Sequence, residues 1–251
     1  MHRALRLVGV LREGMRRGAP CRLLDHVREW QPGVPGLMLS FEGAEPLADD
    51  PHLLEAFHGL GVRMVSLTWN GRNGFADGLL VAERPSGLTR LGKDLLRRMA
   101  DLGMVLDLAH IAEPGFWDAL DAFDGPVVVS HANARAVHDH PRNMSDDQIR
   151  AIASRGGVIG TVFYPRFLGE EGTFADVVAH VRHLRAVGGP CVLALGADLD
   201  GVTSLPVGFT GVQDLPLVTA ALLEAGLPEP EVEGWLGGNW MALLEKLPRT
   251  A

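Results

Sequence analysis

The feature that most constrains the fold is a regular alternation of short apolar runs with amphipathic segments. Parallel strands need long crossover connections, usually helices, so this alternation is typical of a mainly parallel sheet. The sequence therefore predicts an α/β fold. Six runs rich in Val, Leu and Ile are predicted as strands, at residues 36–42, 62–69, 104–110, 126–131, 157–163 and 191–198.

Helical patterns lie between most of these runs. Thr89 is a candidate N-cap for a helix over residues 89–102. Ser145 and Gln148 form a capping-box signature for another helix, which we expect to end at Gly156. Further helices are predicted over residues 1–18, 174–187, 212–225 and 230–247.

Length, composition and charge indicate the broad class of the protein. With 251 residues, 47% of them apolar, the chain is long enough for one large domain, residues 1–251. The net charge of −8 argues against a nucleic-acid or anionic-membrane surface, so the expected partner is a small molecule. Cys21 and Cys191 lie far apart, which predicts neither a disulfide framework nor a sulfur-rich zinc site. We expect a cytoplasmic protein, because no segment resembles a signal peptide or a membrane span.

Residues that bind metals or move protons stand at the ends of four predicted strands: Glu42, His110, His131 and Asp198. The apolar pattern alone fits a barrel or a doubly wound sheet. In a (β/α) barrel, the carboxyl ends of the strands converge on one face, where active sites lie, so these residues favour the barrel. A closed barrel of this kind has eight strands, whereas six are found. We therefore predict a (β/α)8-type TIM barrel that lacks its first two βα units.

Each of these residues has a functional and a structural interpretation. His110 and His131 could share one zinc ion as neutral imidazoles, although a single strand-end histidine is more often structural. Glu42 could bridge two cations or face water. Asp198 could pass a proton from an activated water to a leaving amine, or could cap backbone amides in an Asp-Gly turn.

Other polar residues give weaker signals. Arg142 could hold a substrate carboxylate with two parallel hydrogen bonds, although surface solvation is the default for arginine. His180 and His183 have helical spacing and form a weak candidate ligand pair. Eight histidines do not stand at the end of a predicted strand, and we interpret most of them as surface residues. They are His2, His26, His52, His58, His138, His140, His180 and His183.

A series of short motifs runs through nearly the whole chain. In order they are Glu42-Gly43, Ser66-Leu67-Thr68-Trp69-Asn70 with Asn73 and Ala76-Asp77, Gly87-Leu88-Thr89 with Gly92, Asp107-Leu108-Ala109-His110, Ser130-His131, Arg142-Asn143 with Asp146-Asp147, and Asp198-Leu199-Asp200-Gly201. Together they resemble the membrane (renal-type) dipeptidase family of zinc peptidases. The resemblance implies an amidohydrolase-type barrel that uses metal-activated water to hydrolyse dipeptides.

The resemblance also implies roles for individual residues. Glu42 would bridge two zinc ions, and His110 and His131 would complete the shell of the second ion. Asp198 would be the proton-shuttling catalytic acid, and Arg142 would bind the terminal carboxylate of the substrate. Trp69 stands where some members have a substrate-binding histidine, and with Asn70 it is predicted to line the substrate site.

One part of the family pattern is missing from the sequence. The family begins with a His-x-Asp strand end that supplies the remaining ligands of the first metal, and no such triplet precedes Glu42. We therefore expect one or two Zn²⁺ ions, and an incomplete sheet that could pair with a second copy in a homodimer. The activity of such a short form stays open.

Two alternative functions remain open from the sequence. A non-catalytic or mononuclear relative could bind a small peptide or one metal ion through Glu42, His110 and His131. A lactonase or other ester hydrolase could use the same fold, because fold and metals do not fix the substrate. Arg142 distinguishes the dipeptidase from the lactonase hypothesis, because a side chain that binds a carboxylate suits a dipeptide better than a neutral lactone.

Overall fold

The computed structural model describes residues 1–81 and 84–248. In this part of the chain the strands are β1 (Arg22–Leu23), β2 (Gly36–Leu37), β3 (Leu39–Phe41), β4 (Val62–Ser66), β5 (Val105–Asp107), β6 (Val127–Val129), β7 (Val158–Thr161) and β8 (Leu193–Leu195). The helices are α1 (His2–Arg16), α2 (Leu53–Gly59), α3 (Arg90–Asp101), α4 (Glu113–Ala122), α5 (Asp146–Ser154), α6 (Pro165–Leu168), α7 (Phe174–Gly188), α8 (Leu215–Glu224), α9 (Glu229–Glu233) and α10 (Asn239–Leu244). None of the described helices combines the length and the apolar character needed to cross a bilayer.

The strands form two sheets. β1 and β2 make a small parallel pair. The other six strands form one sheet in the order β3-β4-β5-β6-β7-β8, so neighbours in the chain are neighbours in the sheet. Strands β3 to β5 pair in parallel, as do strands β6 to β8. The predicted α/β fold with a six-stranded parallel sheet is confirmed.

The chain divides into two compact units. The first consists of Met1–Pro126 together with Leu244–Ala251. Its core is built on β4 and on α3, whose Leu95, Leu96 and Met99 are completely buried. Thr89 begins α3 as predicted, because its Oγ1 accepts a hydrogen bond of 3.0 Å from the backbone N–H of Gly92.

The second unit is Val127–Leu243. The predicted capping box of Ser145 and Gln148 is present at the start of α5. A second capping box, between Thr173 and Asp176, begins α7. Trp235 is fully buried, and its indole N–H donates to Thr161 Oγ1 at 3.2 Å. Local capping and burial thus set the positions of these elements.

Several predicted boundaries differ from the structure. The strand predicted over residues 36–42 is two strands, because β2 pairs with β1 while the β3 register with β4 shifts between Leu39 and Ser40. The helix predicted over residues 230–247 is interrupted by a π-helical segment, Gly234–Gly238. Helices α2 and α4 were not predicted. The single-domain assignment stays a prediction.

Candidate metal centre

Glu42 directly follows β3, and its backbone is held by buried Ser66 at the end of β4. The Ser66 hydroxyl donates to the carbonyl oxygen of Phe41 at 3.2 Å and accepts from the backbone N–H of Gly43 at 2.7 Å. Gly43 has φ +90°, and a Cβ there would lie 3.1 Å from the backbone nitrogen of Trp69. The main chain on both sides of Glu42 is therefore fixed, while its side chain is 48% exposed.

His110 lies three residues beyond β5 in a left-handed backbone conformation, φ +67°. This conformation costs a non-glycine residue of the order of 1–3 kcal/mol and persists only when surrounding contacts enforce it. Leu79 supplies one such contact, since its N–H donates to the His110 carbonyl oxygen at 2.9 Å. The buried imidazole lies between two oxygen atoms. Its Nδ1 is 2.8 Å from Asn70 Oδ1, and its Nε2 is 3.0 Å from Glu42 Oε1.

His131 is buried two residues beyond β6. Its Nδ1 is 2.7 Å from Ser130 Oγ. The Ser130 carbonyl oxygen lies against two glycines, because a Cβ built on Gly160 or on Gly196 would be only 1.9 Å from it. The neighbouring Ala132 N–H donates to the Gly160 carbonyl oxygen at 2.8 Å. Close backbone packing therefore fixes the chain around His131.

The two predicted ligands in the first unit, Glu42 and His110, are close enough to share an ion, since His110 Nε2 is 3.0 Å from Glu42 Oε1. His131 belongs to the second unit and stays the predicted third ligand. Two imidazoles and a carboxylate are a ligand set that zinc accepts with an open fourth position. Two atoms that each ligate a tetrahedral zinc ion at about 2 Å lie about 3.3 Å apart. The 3.0 Å between His110 Nε2 and Glu42 Oε1 is close to that spacing. The residues present fit a divalent cation.

Arg142 is a buried residue, contrary to the default expectation for arginine. Its Nη2 donates to the His131 carbonyl oxygen at 3.2 Å, and its guanidinium carbon lies 5.6 Å from the ring centre of Phe167. The side-chain nitrogen Nδ2 of Asn143 donates to the backbone carbonyl oxygen of Phe167 at 2.8 Å. The structure thus holds Arg142 next to His131; its predicted role in binding a carboxylate stays a prediction.

Asp198 lies three residues beyond β8 in a left-handed conformation, φ +56°. The Gly201 N–H donates to its carbonyl oxygen at 3.0 Å, and a Cβ on Gly201 would lie 2.1 Å from Asp198 Oδ1. Asp198 therefore has the backbone of a tight turn, and its half-buried carboxylate is held over a glycine. Its predicted proton-transfer role stays a prediction.

Trp69 and Asn70, the other predicted substrate residues, lie beside His110. The Trp69 side chain is 53% exposed, and its ring centre is 6.2 Å from that of His110. Asn70 points its amide oxygen at the imidazole. Both residues are therefore close to a candidate ligand, and their roles toward substrate stay predictions.

The interpretation of the remaining histidines as mostly surface residues is wrong for two of them, His26 and His180. His180 Nδ1 accepts from the Ala134 N–H at 3.1 Å, and its Nε2 contacts the Leu168 carbonyl oxygen at 2.9 Å. Burial lowers its pKa from 6.5 to about 4. Both nitrogens hold backbone groups, so His180 is no ligand partner for His183. Its place on the apolar stripe of α7, four residues before buried Leu184, could have predicted this burial.

A parallel α/β sheet whose strand ends carry two imidazoles and a carboxylate defines a class, the TIM-barrel-like metallohydrolases. Within that class the chain belongs to the membrane dipeptidase family, Peptidase family M19, whose family profile matches residues 24–251. The family resemblance predicted from the motifs is confirmed, and with it membership of a family of metallopeptidases.

Individual relatives agree with this assignment. The chain is 36% identical over 207 residues to an uncharacterized dipeptidase of Schizosaccharomyces pombe, covering 80% of this chain and 51% of that protein. It is 34% identical over 232 residues to dipeptidase tcpJ of Claviceps purpurea, covering 90% of this chain and 54% of that one. The chain thus spans about half the length of these two curated relatives.

A solved structure shows the same fold. It is a metallopeptidase from Rhodobacter sphaeroides liganded with a phosphinate mimic of the dipeptide L-Ala-D-Ala, and it superposes with a TM-score of 0.91 at 31% identity. The superposition covers 98% of this chain and 74% of the other. The likeness supports the predicted TIM-barrel-type architecture.

Proposed function

We propose that this chain hydrolyses dipeptides with at least one zinc ion held by Glu42, His110 and His131. The observation that carries the proposal is the 3.0 Å contact between His110 Nε2 and Glu42 Oε1 in a member of a metallopeptidase family. Zinc is proposed because imidazole and carboxylate suit it, and because a carboxylate has two oxygens and can therefore bind two ions.

The residues of the chain divide the work of hydrolysis. When bound, the cation supplies Lewis-acid activation of water and of the scissile carbonyl group. Asp198 accepts a proton from the attacking water and returns it to the leaving amine. Arg142, whose guanidinium carbon lies 5.6 Å from the ring centre of Phe167, holds the terminal carboxylate of the substrate through two parallel hydrogen bonds.

The substrate class is proposed from the relatives. Two of them are named dipeptidases, and the Rhodobacter enzyme binds a mimic of L-Ala-D-Ala. We therefore propose that the chain accepts L,L- and L,D-dipeptides with a free terminal carboxylate. A substrate without that group, such as a dipeptide amide, is expected to be cleaved more slowly because it cannot pair with Arg142.

The test is hydrolysis of L-Ala-L-Ala, L-Ala-D-Ala and their amides by zinc-loaded protein, before and after chelator treatment. We expect cleavage that the chelator abolishes and added zinc restores. His110→Ala removes a ligand, so it should reduce the rate by about 100-fold or more, beyond the 10–100-fold typical of an outer-shell change. His183→Ala is the matched control, because that imidazole lies 2.7 Å from Asp146 and is not one of the three proposed ligands, and it should retain the wild-type rate.

Two results would contradict the proposal. Cleavage that persists in chelator would exclude metal dependence. If folded protein binds zinc but cleaves no dipeptide, the proposed hydrolysis is wrong and the non-catalytic binding alternative is favoured.

A further inference from the structure

The contact between Asn70 and His110 determines which imidazole nitrogen can bind a metal. Asn70 Oδ1 lies 2.8 Å from His110 Nδ1. An amide oxygen can only accept a hydrogen bond, so this contact favours a proton on Nδ1. The other nitrogen, Nε2, is 3.0 Å from Glu42 Oε1, which is also an acceptor. A neutral imidazole has one N–H, so a cation bound beside Glu42 would take the Nε2 lone pair while the Nδ1 proton stays on the Asn70 oxygen.

The backbone around Asn70 is fastened to the same region. The Asn70 carbonyl oxygen accepts from the Leu80 N–H at 3.0 Å, and the neighbouring Leu79 N–H donates to the His110 carbonyl oxygen at 2.9 Å. Gly78 packs directly on this segment, since a Cβ there would lie 2.6 Å from the Asn70 carbonyl carbon. One segment therefore holds both the backbone and the ring of His110.

The two candidate histidine ligands differ in this respect. His131 Nδ1 is 2.7 Å from the hydroxyl of Ser130. A hydroxyl can donate or accept, so this contact is compatible with a proton on either nitrogen. The amide oxygen of Asn70 admits only one arrangement for His110. The Asn70 contact therefore favours one tautomer of His110, whereas the Ser130 contact by itself favours neither tautomer of His131.

We propose that Asn70 is a positioning residue that selects Nε2 of His110 as the ligand atom and thereby raises the affinity of the site for a divalent cation. This inference rests on the metal-binding part of the proposed function. It assigns Asn70 a role toward the metal-binding side chain of His110, in addition to the substrate contact predicted from the sequence. An oxygen acceptor on Nδ1 also makes the imidazole a stronger donor through Nε2.

The first test is zinc affinity, measured by competition between metal-free protein and a chromophoric chelator. Asn70→Leu keeps the side-chain size and removes the acceptor, so we expect binding about 10–100-fold weaker, as for other outer-shell changes. Asn70→Asp keeps an oxygen acceptor and should bind at least as tightly as wild type. Gln213→Leu is the matched control, because it also replaces a side-chain amide with leucine, at an exposed position where the amide nitrogen donates to Thr210 Oγ1 at 2.7 Å; its affinity should stay within about threefold of wild type.

The second test is spectroscopic and needs no turnover. Two-bond proton–nitrogen NMR correlations of zinc-loaded protein labelled with ¹⁵N-histidine identify the protonated nitrogen of each ring. We expect a protonated Nδ1 and a zinc-bound Nε2 for His110 in wild type and in Asn70→Asp. In Asn70→Leu the Nδ1 proton should exchange with water and broaden. If Asn70→Leu does not fold, the wild-type spectrum still tests the inference, because it shows which nitrogen of His110 is protonated and which one binds zinc.

Three outcomes would overturn the inference. They are a zinc-bound Nδ1 in wild type, wild-type affinity in Asn70→Leu, and equal loss in the Leu and Asp variants, which would indicate a merely structural role. Zinc binding with the expected pattern but without dipeptide cleavage would uphold the inference and reject the proposed hydrolysis. Folded wild-type protein that binds no zinc would overturn both.

Discussion

At the residue scale, the site depends on side chains that have no catalytic chemistry of their own. Ser66 spans the two neighbours of Glu42, and the glycines at 160 and 196 let the backbone pack against Ser130. Ser66 stands in a recognisable motif, but its function as a clamp depends on a contact 23 to 25 residues away in the chain. The strand-end pattern predicted Glu42, whereas this support required the structure.

Ser66→Ala tests the clamp on Glu42. The substitution leaves the Gly43 N–H and the Phe41 carbonyl without their buried partner, which should cost about 1–3 kcal/mol in the free energy of unfolding. Urea denaturation measures it. Ser154→Ala is the control, since that hydroxyl is exposed and donates within its own helix, to the carbonyl oxygen of Ala151 at 2.8 Å. Equal losses in both variants would reject the clamp.

Buried His180 makes stability depend on pH. Its folded-state pKa of about 4 lies below the 6.5 of an exposed histidine, because burial, together with the smaller effects of His138 and His183, outweighs the hydrogen bond to Leu168 and the charge of Asp176, which raise the pKa. The unfolded chain therefore takes up the proton first. The stabilisation is complete above pH 6.5 and is lost as the pH falls towards 4.

The prediction concerns the loss of unfolding free energy between pH 7 and pH 5. The loss should be about 2 kcal/mol smaller in His180→Leu than in wild type, because the variant lacks this titration. Urea unfolding at the two pH values measures the difference. His2→Leu, at an exposed position, should show the wild-type loss. An identical pH dependence in His180→Leu would show that His180 does not carry the effect.

At the element scale, the sequence predicted those helices that have strong local start signals. α3, α5 and α7 begin at Thr89, Ser145 and Thr173, and each hydroxyl accepts a backbone N–H. α2 and α4 lack a side-chain cap, so little local information separates them from loops. The predicted strands were present but extended too far, because the apolar pattern continues beyond the last residue of most strands into the following loop.

Ser145→Ala tests local capping. Loss of the bonds of the capping box should destabilise the protein by about 1 kcal/mol, within the 0.5–2 kcal/mol range for N-cap serines. Thermal or urea unfolding measures the change. Ser145→Asp should restore most of the stability, since aspartate caps equally well. Failure of aspartate to restore it would attribute the loss to something other than capping.

At the scale of the whole molecule, parallel strands in sequential order explain why a site could be predicted from residues far apart in the chain. Glu42 and His110, at the ends of two different strands, were predicted as ligands, and His110 Nε2 lies 3.0 Å from Glu42 Oε1. The left-handed backbones of His110 and Asp198 and the burial of Arg142 could not be predicted, because they result from packing between loops.

Metal binding should stabilise the folded chain as a whole. Zinc that binds the folded state and not the unfolded state adds about 2.7 kcal/mol at a free concentration 100 times the Kd. Differential scanning calorimetry should show a rise in the unfolding midpoint with zinc concentration. Glu42→Gln and His110→Ala should reduce the rise. If the variant that carries both substitutions shows the same rise in unfolding midpoint as wild type, the stabilising zinc binds elsewhere.

The central claim is that Glu42, His110 and His131 hold a divalent cation, and X-ray absorption at the zinc edge tests it most directly. Protein loaded with one zinc equivalent should show a shell of nitrogen and oxygen at about 2.0–2.1 Å, with the outer-shell scattering of two imidazoles. His131→Ala should lose one of them. A zinc spectrum without imidazole scattering, or one unchanged by the substitution, would contradict the claim.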